Sequence, residues 1–461
     1  MITLRKNQTE PIRKAVEFFN AKNPAPSLIV LPTAWGKSIL TAFTAKETEG
    51  KLLVLQPSKE LLEQNYKKYL ALCGDDLQVQ AGIYSASFGR KEINKITYAT
   101  IGSIKNIGKL FKQLGFKKML IDEAHLYPRE SDSMLGKFLT DSEITHVLGI
   151  TATPIKLQQN TDLDGNRFSK LQMLTSRSKK GNFFKHIIHV GQVQEMVELG
   201  FWSRLEYQTA GFDSSALVYN SSQSEYTEES VLRAFENNHI HAQIIQQLND
   251  HAERRHILVF VPSVAEAIQL SKQYPNSAAI YGDMHKAERE KVIDGFRSGK
   301  TRVIFNVRVL STGFDYTGID CIIFGISTAS IALYYQIVGR GTRIDTGKKD
   351  CLILDLAGNV ERFGRVEDIV FEKDTLWRMY GSGGKLLSGI PIHEIGMYTR
   401  ESLKAGRAGK NKEAKPLEIM PFGKYKGDHI ADIPEDYRQW MLKNFSWHTG
   451  NENLRNAILI Q

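Results

Sequence analysis

The first 160 residues alternate short apolar runs with longer stretches of helix-like sequence. Four of the runs are typical of buried strands: SLIVL (27–31), KLLVLQP (51–57), KMLID (118–122) and THVLGIT (145–151). Their residues are apolar at consecutive positions rather than at every second position, as in parallel strands covered on both faces. The segments between them are long enough for crossover helices, so the pattern predicts a doubly wound α/β domain.

A similar pattern restarts near residue 255 and predicts a second parallel-sheet domain. Its strand candidates are residues 255–263, 277–282, 301–307, 319–325 and 350–358. A helix is predicted over 287–299, where a glycine ends the helical pattern. Polar sequence rich in Asn, Ser and Gln, at 158–182 and 213–230, separates the two patterns. We therefore expect two domains in series, with a boundary near residue 205.

The pattern weakens after residue 372, where the glycine-rich stretch YGSGGKLLSG predicts turns. Residues 400–415 carry six Lys or Arg and two Glu, which indicates a basic linker or an exposed helix. An amphipathic helix is predicted after Pro434, within a small separate module. The predicted domains are residues 1–205, residues 206–372, a linker over 373–416 and an accessory module over 417–461.

Composition adds a charge argument to this architecture. The chain has 461 residues and is 42% hydrophobic and 24% charged, which is ordinary for a globular protein. Its net charge of +9 favours a polyanionic partner, most often nucleic acid, although a merely solvated basic surface gives the same balance. The three cysteines, Cys73, Cys321 and Cys351, show no metal-ligand spacing and indicate a reducing compartment. Without a run of 18 apolar residues or a signal-peptide core, we expect a cytoplasmic protein that does not enter a membrane.

The stretch LPTAWGKS, residues 31–38, carries the first candidate chemistry. A predicted strand leads into a turn, and the turn opens a helix at Lys37. Backbone N–H groups at such a helix start favour a bound phosphate, Lys37 can reach the outer phosphates, and the Ser38 hydroxyl can ligate Mg²⁺. The usual phosphate-loop pattern has glycine where Leu31 stands, and Trp35 is large for a cramped loop. Gly-Lys-Ser recurs by chance, so the strand–turn–helix context carries the prediction.

The stretch KMLIDEAH, residues 118–125, places two carboxylates at the end of a predicted strand, where α/β sheets bind their ligands. Asp122 would hold Mg²⁺, and Glu123 would polarise the water that attacks a γ-phosphate. His125 is a candidate link to the second domain. An acidic strand end with a capping role is the alternative, which the phosphate loop makes less favoured.

Two later stretches complete the candidate site. GITATP brings the hydroxyls of Thr151 and Thr153 just past another strand, although alone it would indicate an ordinary strand exit. QIVGRGTR (336–343) places Arg340 and Arg343 three positions apart, on one face of a helix. Guanidinium groups from a second domain can stabilise charge on a transferring phosphate, worth roughly 10³–10⁵ in rate. Two solvated surface arginines are the alternative.

In this order the motifs resemble those of superfamily 2 helicases and translocases. PTAWGKS is similar to motif I, DEAH to motif II, TAT to motif III, VLSTGFD (309–315) to motif V and QIVGRGTR to motif VI. LRKNQ resembles the glutamine-bearing adenine site, LQPSKELLEQ (55–64) motif Ia, and VFVPS (259–263) motif IV. The resemblance covers roughly residues 1–360. With the C-terminal module, it implies an α/β fold of two RecA-like parallel-sheet domains in tandem plus a small C-terminal domain, with ATP between the RecA-like domains.

The resemblance also implies roles for individual residues. The expected catalytic residues are Lys37, Glu123, Gln336, Arg340 and Arg343. The expected ATP contacts are Arg5, Gln8, Thr33, Ala34, Trp35, Gly36, Lys37, Ser38, Asp122, Gly313 and Asp315, with Ser38 and Asp122 holding Mg²⁺. Ala34 stands where the family usually has glycine, so we expect a negative φ there. We expect the Trp35 ring to pack beside the phosphate turn rather than to touch ATP.

Contacts to nucleic acid are expected mainly on backbone phosphates. The candidates are Pro57, Ser58 and Lys59 in motif Ia, Thr100 and Ser103 after ITYAT, and Thr312 in motif V. Residues 420–442 resemble a small module appended to some DNA exonucleases and phage proteins. There, Lys424, Tyr425 and Lys426 suit contact with phosphate and base, and a turn packed against the terminal helix is the alternative. The basic stretch 176–185 is either a further contact or a solvated loop.

The sequence therefore predicts a monomeric, ATP- and Mg²⁺-dependent DNA helicase or translocase that unwinds or branch-migrates forked or branched DNA during repair, recombination or replication. The resemblance implies 3′-to-5′ movement, and a nucleoid-associated protein of a bacterium or a phage-infected cell. An RNA helicase stays open, because DEAH also occurs in RNA-acting members. So do the motor subunit of a restriction-type nuclease and a binding protein built on an inactive motor fold. Intact Lys37, Asp122, Glu123 and Arg340 argue against the inactive motor.

Overall fold

The structure is a computed structural model of the chain, which divides into two units. It describes residues 4–74, 80–127, 133–161, 167–175, 183–221, 224–307, 309–311, 316–403, 420, 424–425, 427–444, 454 and 458. The two units are Met1–Met397 and Tyr398–Gln461. Within the described part of the chain, none of the helices combines the length and apolarity that a membrane crossing requires.

The first half of the Met1–Met397 unit is built on a largely parallel sheet. Its strands are β1 (Ser27–Val30), β2 (Leu52–Leu55), β3 (Ala81–Ser85), β4 (Arg90–Lys91), β5 (Ile96–Ala99), β6 (Lys118–Ile121) and β7 (His146–Thr151), followed by the separate hairpin β8 (Ile155–Thr161) and β9 (Arg167–Met173), and by β10 (His186–Val190). The sheet order is β10-β1-β7-β6-β2-β5-β3-β4. Among these described strands, β3 and β4 pair antiparallel, and all other neighbours pair parallel. Parallel pairing aligns the carboxyl ends of β1, β2, β5, β6 and β7 at one edge.

Helices cover both faces of this sheet. They are α1 (Thr9–Asn20), α2 (Lys37–Glu47), α3 (Lys59–Cys73), α4 (Ile101–Ile104), α5 (Gly108–Gln113), α6 (Met134–Ser142) and α7 (Val193–Glu198). Phe19 and Leu40 belong to the same apolar cluster as Val54, whereas Phe111 belongs to a second cluster with Leu53. Consecutive residues of β2 thus face opposite helix layers, which is why the strand is apolar at every position.

A second, fully parallel sheet forms the other half. Its strands are β11 (Arg204–Thr209), β12 (Ile257–Phe260), β13 (Ser277–Ile280), β14 (Val303–Asn306), β15 (Cys321–Phe324) and β16 (Asp350–Asp355), in the order β11-β16-β15-β12-β14-β13. Its helices are α8 (Glu228–Asn237), α9 (Ile240–Asp250), α10 (Val264–Gln273), α11 (Lys286–Arg297), α12 (Ile331–Gly341) and α13 (Asn359–Phe363). The predicted α/β class, with two RecA-like parallel-sheet domains in tandem, is confirmed.

The sequence between the sheets holds more structure than the polar composition predicted. Residues 155–161 and 167–173 pair as the hairpin strands β8 and β9, and β8 alternates partly buried and exposed positions. This period of two differs from the continuous apolar runs that marked the other strands. β10 then adds to the first sheet beside β1 and ends at Val190, and β11 begins at Arg204. The domain boundary at residue 205 stays a prediction.

After β16 the chain returns to the first half of the same unit. It forms the antiparallel hairpin β17 (Val370–Lys373) and β18 (Trp377–Tyr380). The side-chain amide of Gln192 donates to the Phe371 carbonyl at 2.8 Å and accepts the Phe371 N–H at 3.1 Å. Further along, the Gly389 N–H donates to the Leu171 carbonyl of β9. These bonds attach the hairpin segment to the first half.

The Tyr398–Gln461 unit has a small core of its own. The helix predicted after Pro434 is confirmed as α14 (Glu435–Asn444). Among its described residues, the buried apolar side chains are Met420, Ile430, Ile433, Met441, Leu454 and Ile458. The accessory module over 417–461 stays a prediction.

Candidate functional site

The turn between β1 and α2 has the backbone of an anion-binding loop. Gly36, at φ 96°, precedes α2, and its carbonyl accepts the N–H groups of Ile39 at 2.8 Å and Leu40 at 3.2 Å. Among the described residues, no side chain caps this helix start. The first N–H groups of α2 are therefore oriented toward a phosphate-sized anion.

The negative φ expected at Ala34 is wrong. Ala34 has φ 57°, in the left-handed region. The Leu31 N–H is still bonded to the Thr151 carbonyl at 3.0 Å, and α2 begins at Lys37, so the backbone must turn within a few residues. This conformation costs an alanine about 1–2 kcal/mol. The methyl group packs against the main apolar cluster, which offsets part of that cost.

Trp35 packs inside the first domain, as expected. Its side chain is 1% exposed and belongs to the main apolar cluster. Gly191 packs beside it, since a Cβ on that residue would lie 3.4 Å from the indole nitrogen, at ordinary contact distance. The Trp35 carbonyl accepts a hydrogen bond from the Gln8 side-chain amide at 3.1 Å. The tryptophan thus anchors the phosphate turn from behind.

The carboxyl end of β6 brings Asp122 and Glu123 to this turn. Glu123 pairs through Oε1 with the Lys37 ammonium. Asp122 is 4% exposed, its Oδ1 accepts the Glu123 N–H at 3.0 Å, and its Oδ2 accepts from the Asn65 amide at 3.1 Å. Three residues that the sequence placed in one site therefore lie together.

The two carboxyls have pKa values shifted in opposite directions. Burial, reinforced by the charge of Glu123, raises the pKa of Asp122 to about 6. Burial also acts to raise the pKa of Glu123, but the positive charges of Lys37 and His125 outweigh it and hold that pKa below its usual range. Both groups are ionised at neutral pH, so Asp122 can accept a cation and Glu123 a proton.

His125 and Thr151 connect the DEAH and TAT stretches. His125 Nδ1 lies 2.8 Å from Thr151 Oγ1 and 3.6 Å from Glu123 Oε2. Thr151 Oγ1 also accepts the Thr153 N–H at 3.1 Å. The link of His125 to the second domain stays a prediction.

Helix α12 of the second half abuts the phosphate turn. A Cβ on Gly339 would lie 2.7 Å from Thr33 Oγ1, so the glycine allows the helix backbone to approach the turn closely. Arg340 follows, and the charge of Glu123 acts on its guanidinium. Burial lowers the pKa of Arg340 to about 10 and also lowers that of Arg343. Arg340 remains charged at neutral pH, close enough to Glu123 for the two charges to interact.

Gln336 lies on the same helix, one turn before Arg340, and is partly buried. This spacing places both side chains on one face of α12.

The predicted adenine residues hold the N-terminal turn. Gln8 is 4% exposed, and its amide accepts the Arg5 N–H at 3.0 Å while donating to Trp35. The Arg5 guanidinium lies 4.3 Å from the centre of the Phe201 ring. The amide is thus used to join the turn to the phosphate loop, and base recognition by Arg5 and Gln8 stays a prediction.

The donor set suits Mg²⁺, which prefers oxygen ligands and usually keeps water and substrate phosphate around it. Asp122 offers a buried carboxylate, and Ser38 offers a hydroxyl in the first turn of α2. In the described part of the chain, no group of three or more His, Cys, Asp or Glu residues could hold a metal alone. The residues therefore fit an ion shared with a nucleotide rather than a protein-only metal centre.

Two groups of predicted nucleic-acid contacts meet at the same edge of the first sheet. Ser58 caps α3 by accepting the Leu61 N–H at 3.3 Å, directly after Pro57. The Lys59 ammonium donates to the Ser87 carbonyl at 3.0 Å and lies 4.6 Å from the centre of the Phe88 ring.

The second group approaches the same segment from the end of β5. The hydroxyls of Thr100 and Ser103 are 3.0 Å apart, and Ser103 Oγ accepts the Ala86 N–H at 2.9 Å. Residues 86–88 thus join the two groups. Their contact with nucleic acid stays a prediction.

In the C-terminal unit, the Lys424 ammonium lies 5.2 Å from the Tyr425 ring centre, and Tyr425 packs edge-on against Tyr437 of α14 at 4.9 Å. Tyr437 stacks on Trp440, which is 54% exposed. These ring contacts are those of a turn packed against the terminal helix, which was the alternative to nucleic-acid contact for this segment. Nucleic-acid contact by these residues stays a prediction. The predicted site residues Thr312, Gly313, Asp315 and Lys426 lie outside the described residues, as do residues 176–182.

Two buried polar residues near the site were not predicted from the sequence. Gln56, 0% exposed, ends the segment before Pro57, and Asn65, 1% exposed, contacts both Gln56 and Asp122. The sequence contained a signal: Asn65 lies on the buried face of α3, where an apolar side chain is expected.

The structure brings a phosphate-type loop, the DEAH strand end and an arginine-bearing helix together from two RecA-like domains. Residues 1–156 match the family described as "Type III restriction enzyme, res subunit", and residues 240–345 match "Helicase conserved C-terminal domain". Residues 1–156 and 240–345 are therefore similar to superfamily 2 helicases. Residues 416–451 match a third family, described as "Putative quorum-sensing-regulated virulence factor".

Curated relatives agree with this assignment. The chain is 26% identical over 377 residues to the "Putative mitochondrial ATP-dependent helicase irc3" of Schizosaccharomyces pombe, covering 78% of this chain and 58% of the relative. It is 22% identical to a "51.5 kDa protein" of a Lactococcus phage, covering 77% and 70% of the two chains. It is 26% identical to the "Putative DNA 3'-5' helicase Rad25" of Haloarcula marismortui, covering 62% and 43%. The chain thus spans little more than half of the irc3 relative.

Solved structures show the same fold. The Type ISP restriction-modification enzyme LlaBIII bound to DNA superposes with a TM-score of 0.56 at 16% identity, over 77% of this chain and 28% of that enzyme. An HsdR subunit fragment of a type I restriction enzyme from Vibrio vulnificus gives 0.55 at 18% identity, over 77% and 64% of the chains.

Proposed function

We propose that the protein hydrolyses ATP and uses the reaction to move along DNA, as a helicase or translocase. The observation that carries this proposal is that charged groups from the two halves meet at one place. Lys37 and Glu123 of the first half meet Arg340 of the second half there, and Gly339 brings α12 against Thr33 of the phosphate turn. Such a site is assembled by two domains, so its chemistry can be coupled to their relative movement.

The Lys37–Glu123 ion pair suggests how hydrolysis begins. When ATP binds, its phosphates compete with Glu123 for the Lys37 ammonium. Loss of that neighbour raises the proton affinity of Glu123, which then accepts a proton from the attacking water. Arg340 stabilises the charge on the transferring phosphoryl group. Mg²⁺ held by Ser38 and Asp122 would neutralise phosphate charge.

Movement would follow from opening and closing of this site. The predicted contacts at Pro57, Ser58 and Lys59 lie beside the first turn of α3, the helix whose buried face touches Asp122, so a change at the nucleotide can reach them. The proposed division into residues 1–205, 206–372, 373–416 and 417–461 gives the moving parts.

DNA is the favoured substrate for two reasons. The Haloarcula relative is named as a DNA 3'-5' helicase, and the LlaBIII structure is described as bound to DNA. A net charge of +9 suits either nucleic acid. We propose 3′-to-5′ movement on forked or branched DNA, by a monomer in the nucleoid of a bacterium or a phage-infected cell, with Lys424, Tyr425 and Lys426 as an accessory contact.

A restriction-type motor is a second candidate, because residues 1–156 match a restriction-enzyme family. In that case the chain would move along duplex DNA without separating strands, and a partner chain would supply the nuclease. Triplex displacement, which reports duplex translocation, together with strand separation on forks distinguishes the two.

The test is ATP hydrolysis with single-stranded, forked, four-way and duplex DNA and with duplex RNA. We expect forked or single-stranded DNA to stimulate hydrolysis most, and Lys37→Ala to remove at least about 99% of it, the scale for losing one preorganised electrostatic group. Lys46→Ala is the matched control, since Lys46 is exposed at the other end of α2.

Undiminished stimulation in Lys37→Ala would show that the motor proposal is wrong. Stronger stimulation by duplex RNA than by any DNA would show that RNA is the substrate, and it would leave the proposed ATP site unaffected.

A further inference from the structure

We propose that Asn65 is a positioning residue that joins the turn after β2 to the Asp122 carboxylate, and so couples nucleic-acid contact to magnesium binding. This inference rests on the proposed function. It concerns Gln56 and Asn65, to which the motif resemblance gives no role.

Asn65 occupies a position that packing alone would fill differently. The buried residues of α3 are Leu62, Asn65 and Tyr69, at the three- and four-residue spacing of one helix face. An apolar residue would complete this stripe, and asparagine is also a poor residue for a helix interior. Since Asn65 is 1% exposed, its polar side chain must be explained by the groups that it contacts.

The hydrogen bonds of Asn65 run in two directions. Its Nδ2 donates to Gln56 Oε1 at 2.9 Å and to Asp122 Oδ2 at 3.1 Å. An ionised carboxylate can only accept hydrogen bonds, so the NH₂ group must face Asp122, and Gln56 must then present its oxygen. One amide group therefore fixes the orientation of both neighbours.

Each neighbour leads to a different part of the proposed motor. Asp122 is the expected magnesium ligand, held on its other oxygen by the Glu123 N–H. Gln56 is bonded through its own N–H to the Ala99 carbonyl at the end of β5, and the predicted nucleic-acid contact Pro57 follows it directly. A shift of the turn after β2 would move Gln56, and through Asn65 would reorient the Asp122 carboxylate.

This orientation of the two amides leaves one polar atom of each side chain without a hydrogen bond. Among the described residues, Gln56 Nε2 and Asn65 Oδ1 are buried with no hydrogen-bond partner. Buried unpaired polar atoms lower stability, so the pair is a poor device for holding α3 in place. Its value lies in directing the carboxylate, as groups behind a metal ligand do.

The test measures metal binding without turnover. Mn²⁺ replaces Mg²⁺, and its affinity in the presence of a non-hydrolysable ATP analogue is read by electron paramagnetic resonance, with thermal unfolding recorded for every variant. We expect Asn65→Leu to weaken Mn²⁺ binding about tenfold or more, the usual effect of losing a partner behind a metal ligand. Asn65→Ala, which adds no bulk, should do the same.

Two further variants separate positioning from folding. Leu62→Ala, on the same buried face, should lower the unfolding temperature but leave Mn²⁺ affinity unchanged. Gln56→Leu should keep Mn²⁺ affinity yet lose most of the stimulation of ATP hydrolysis by DNA, because the Asn65–Asp122 bond remains while the connection to the turn is cut.

Unchanged Mn²⁺ affinity in both Asn65 variants, or full DNA stimulation in Gln56→Leu, would overturn the inference. If the unsubstituted protein bound neither Mn²⁺ nor the ATP analogue, the proposed function itself would fail.

Discussion

Two buried aspartates at strand ends show why the two sheets have different chemistry. Asp122 follows β6 in the first sheet and is 4% exposed, and Asp355 ends β16 in the second and is 1% exposed. Burial raises the pKa of each carboxyl. Position, burial and the direction of the pKa shift are therefore shared.

Their hydrogen bonds differ. Asp355 accepts from the N–H groups of Ala357 at 3.1 Å and Val360 at 2.5 Å and from the Asn359 amide at 3.1 Å, all within the next five residues. It is a capping group that shapes its own turn. Asp122 accepts one local N–H and one distant amide, and next to it Glu123 pairs with Lys37. A buried strand-end carboxylate becomes a ligand candidate when its own loop does not use up its oxygens.

The largest loss of ATP hydrolysis should come from replacing Arg340 on helix α12 of the second domain, rather than from replacing Asp355 at the end of its strand β16. Arg340→Ala should lower kcat for ATP hydrolysis about 10³-fold or more, because an arginine supplied by a second domain acts on the transferring phosphoryl group. KM for ATP should change much less. Steady-state kinetics measure both. Arg233→Ala, which removes an exposed arginine from α8, is the control, and an equal loss in that variant would contradict the assignment.

The comparison itself is tested by the same substitution at both aspartates. Asp122→Asn should reduce kcat at least about 100-fold, as expected when one preorganised charge is lost. Its stability should change less than that of Asp355→Asn, because the Asn65 and Gln56 side-chain amides can both turn over so that Asn65 accepts from the new NH₂ group. Asp355→Asn should instead lower the free energy of unfolding by about 1–3 kcal/mol, because the new NH₂ group faces buried donors.

Kinetics and denaturant unfolding on both variants supply the measurements. A stable but inactive Asp355→Asn protein would show that the two aspartates are not divided in this way.

The smallest expected effect is on stability, and it comes from the backbone conformation of the turns at the strand ends of the two sheets. The second sheet uses Gly358, at φ 73°, in the turn after β16, whereas the first uses Ala34 in the left-handed region. Ala34→Gly should raise the free energy of unfolding by about 0.5–1 kcal/mol, the relief of strain less the added freedom of the unfolded chain. As a control, Ala42→Gly inside α2 should lower the free energy of unfolding by about 1 kcal/mol. A similar decrease for Ala34→Gly would mean that the packing of the alanine methyl outweighs the backbone strain.

Much of the fold was predictable because buried parallel strands carry continuous apolar runs. β1, β2, β6 and β7 were recognised in this way, and so were β12 and β14. The hairpin β8–β9 was not, because its alternating pattern lies in polar sequence. The negative φ expected at Ala34 was wrong because residue type indicates which conformations are cheap, not which one the loop must take.

The sequence by itself determined the order of the motifs, and with it Lys37, Asp122, Glu123 and Arg340 as candidates for one site. Lys37 begins a helix, Asp122 and Glu123 follow a strand end, and Arg340 lies in the last turn of a helix. Local pattern is enough to locate such positions. Tertiary structure alone decided which groups contact one another: Gly339 against Thr33, Lys37 with Glu123, and Asn65 between Gln56 and Asp122. Except for Asn65 and Gln56, those contacts join residues far apart in the chain, and only the packing of the two sheets and their helices sets the distances between them.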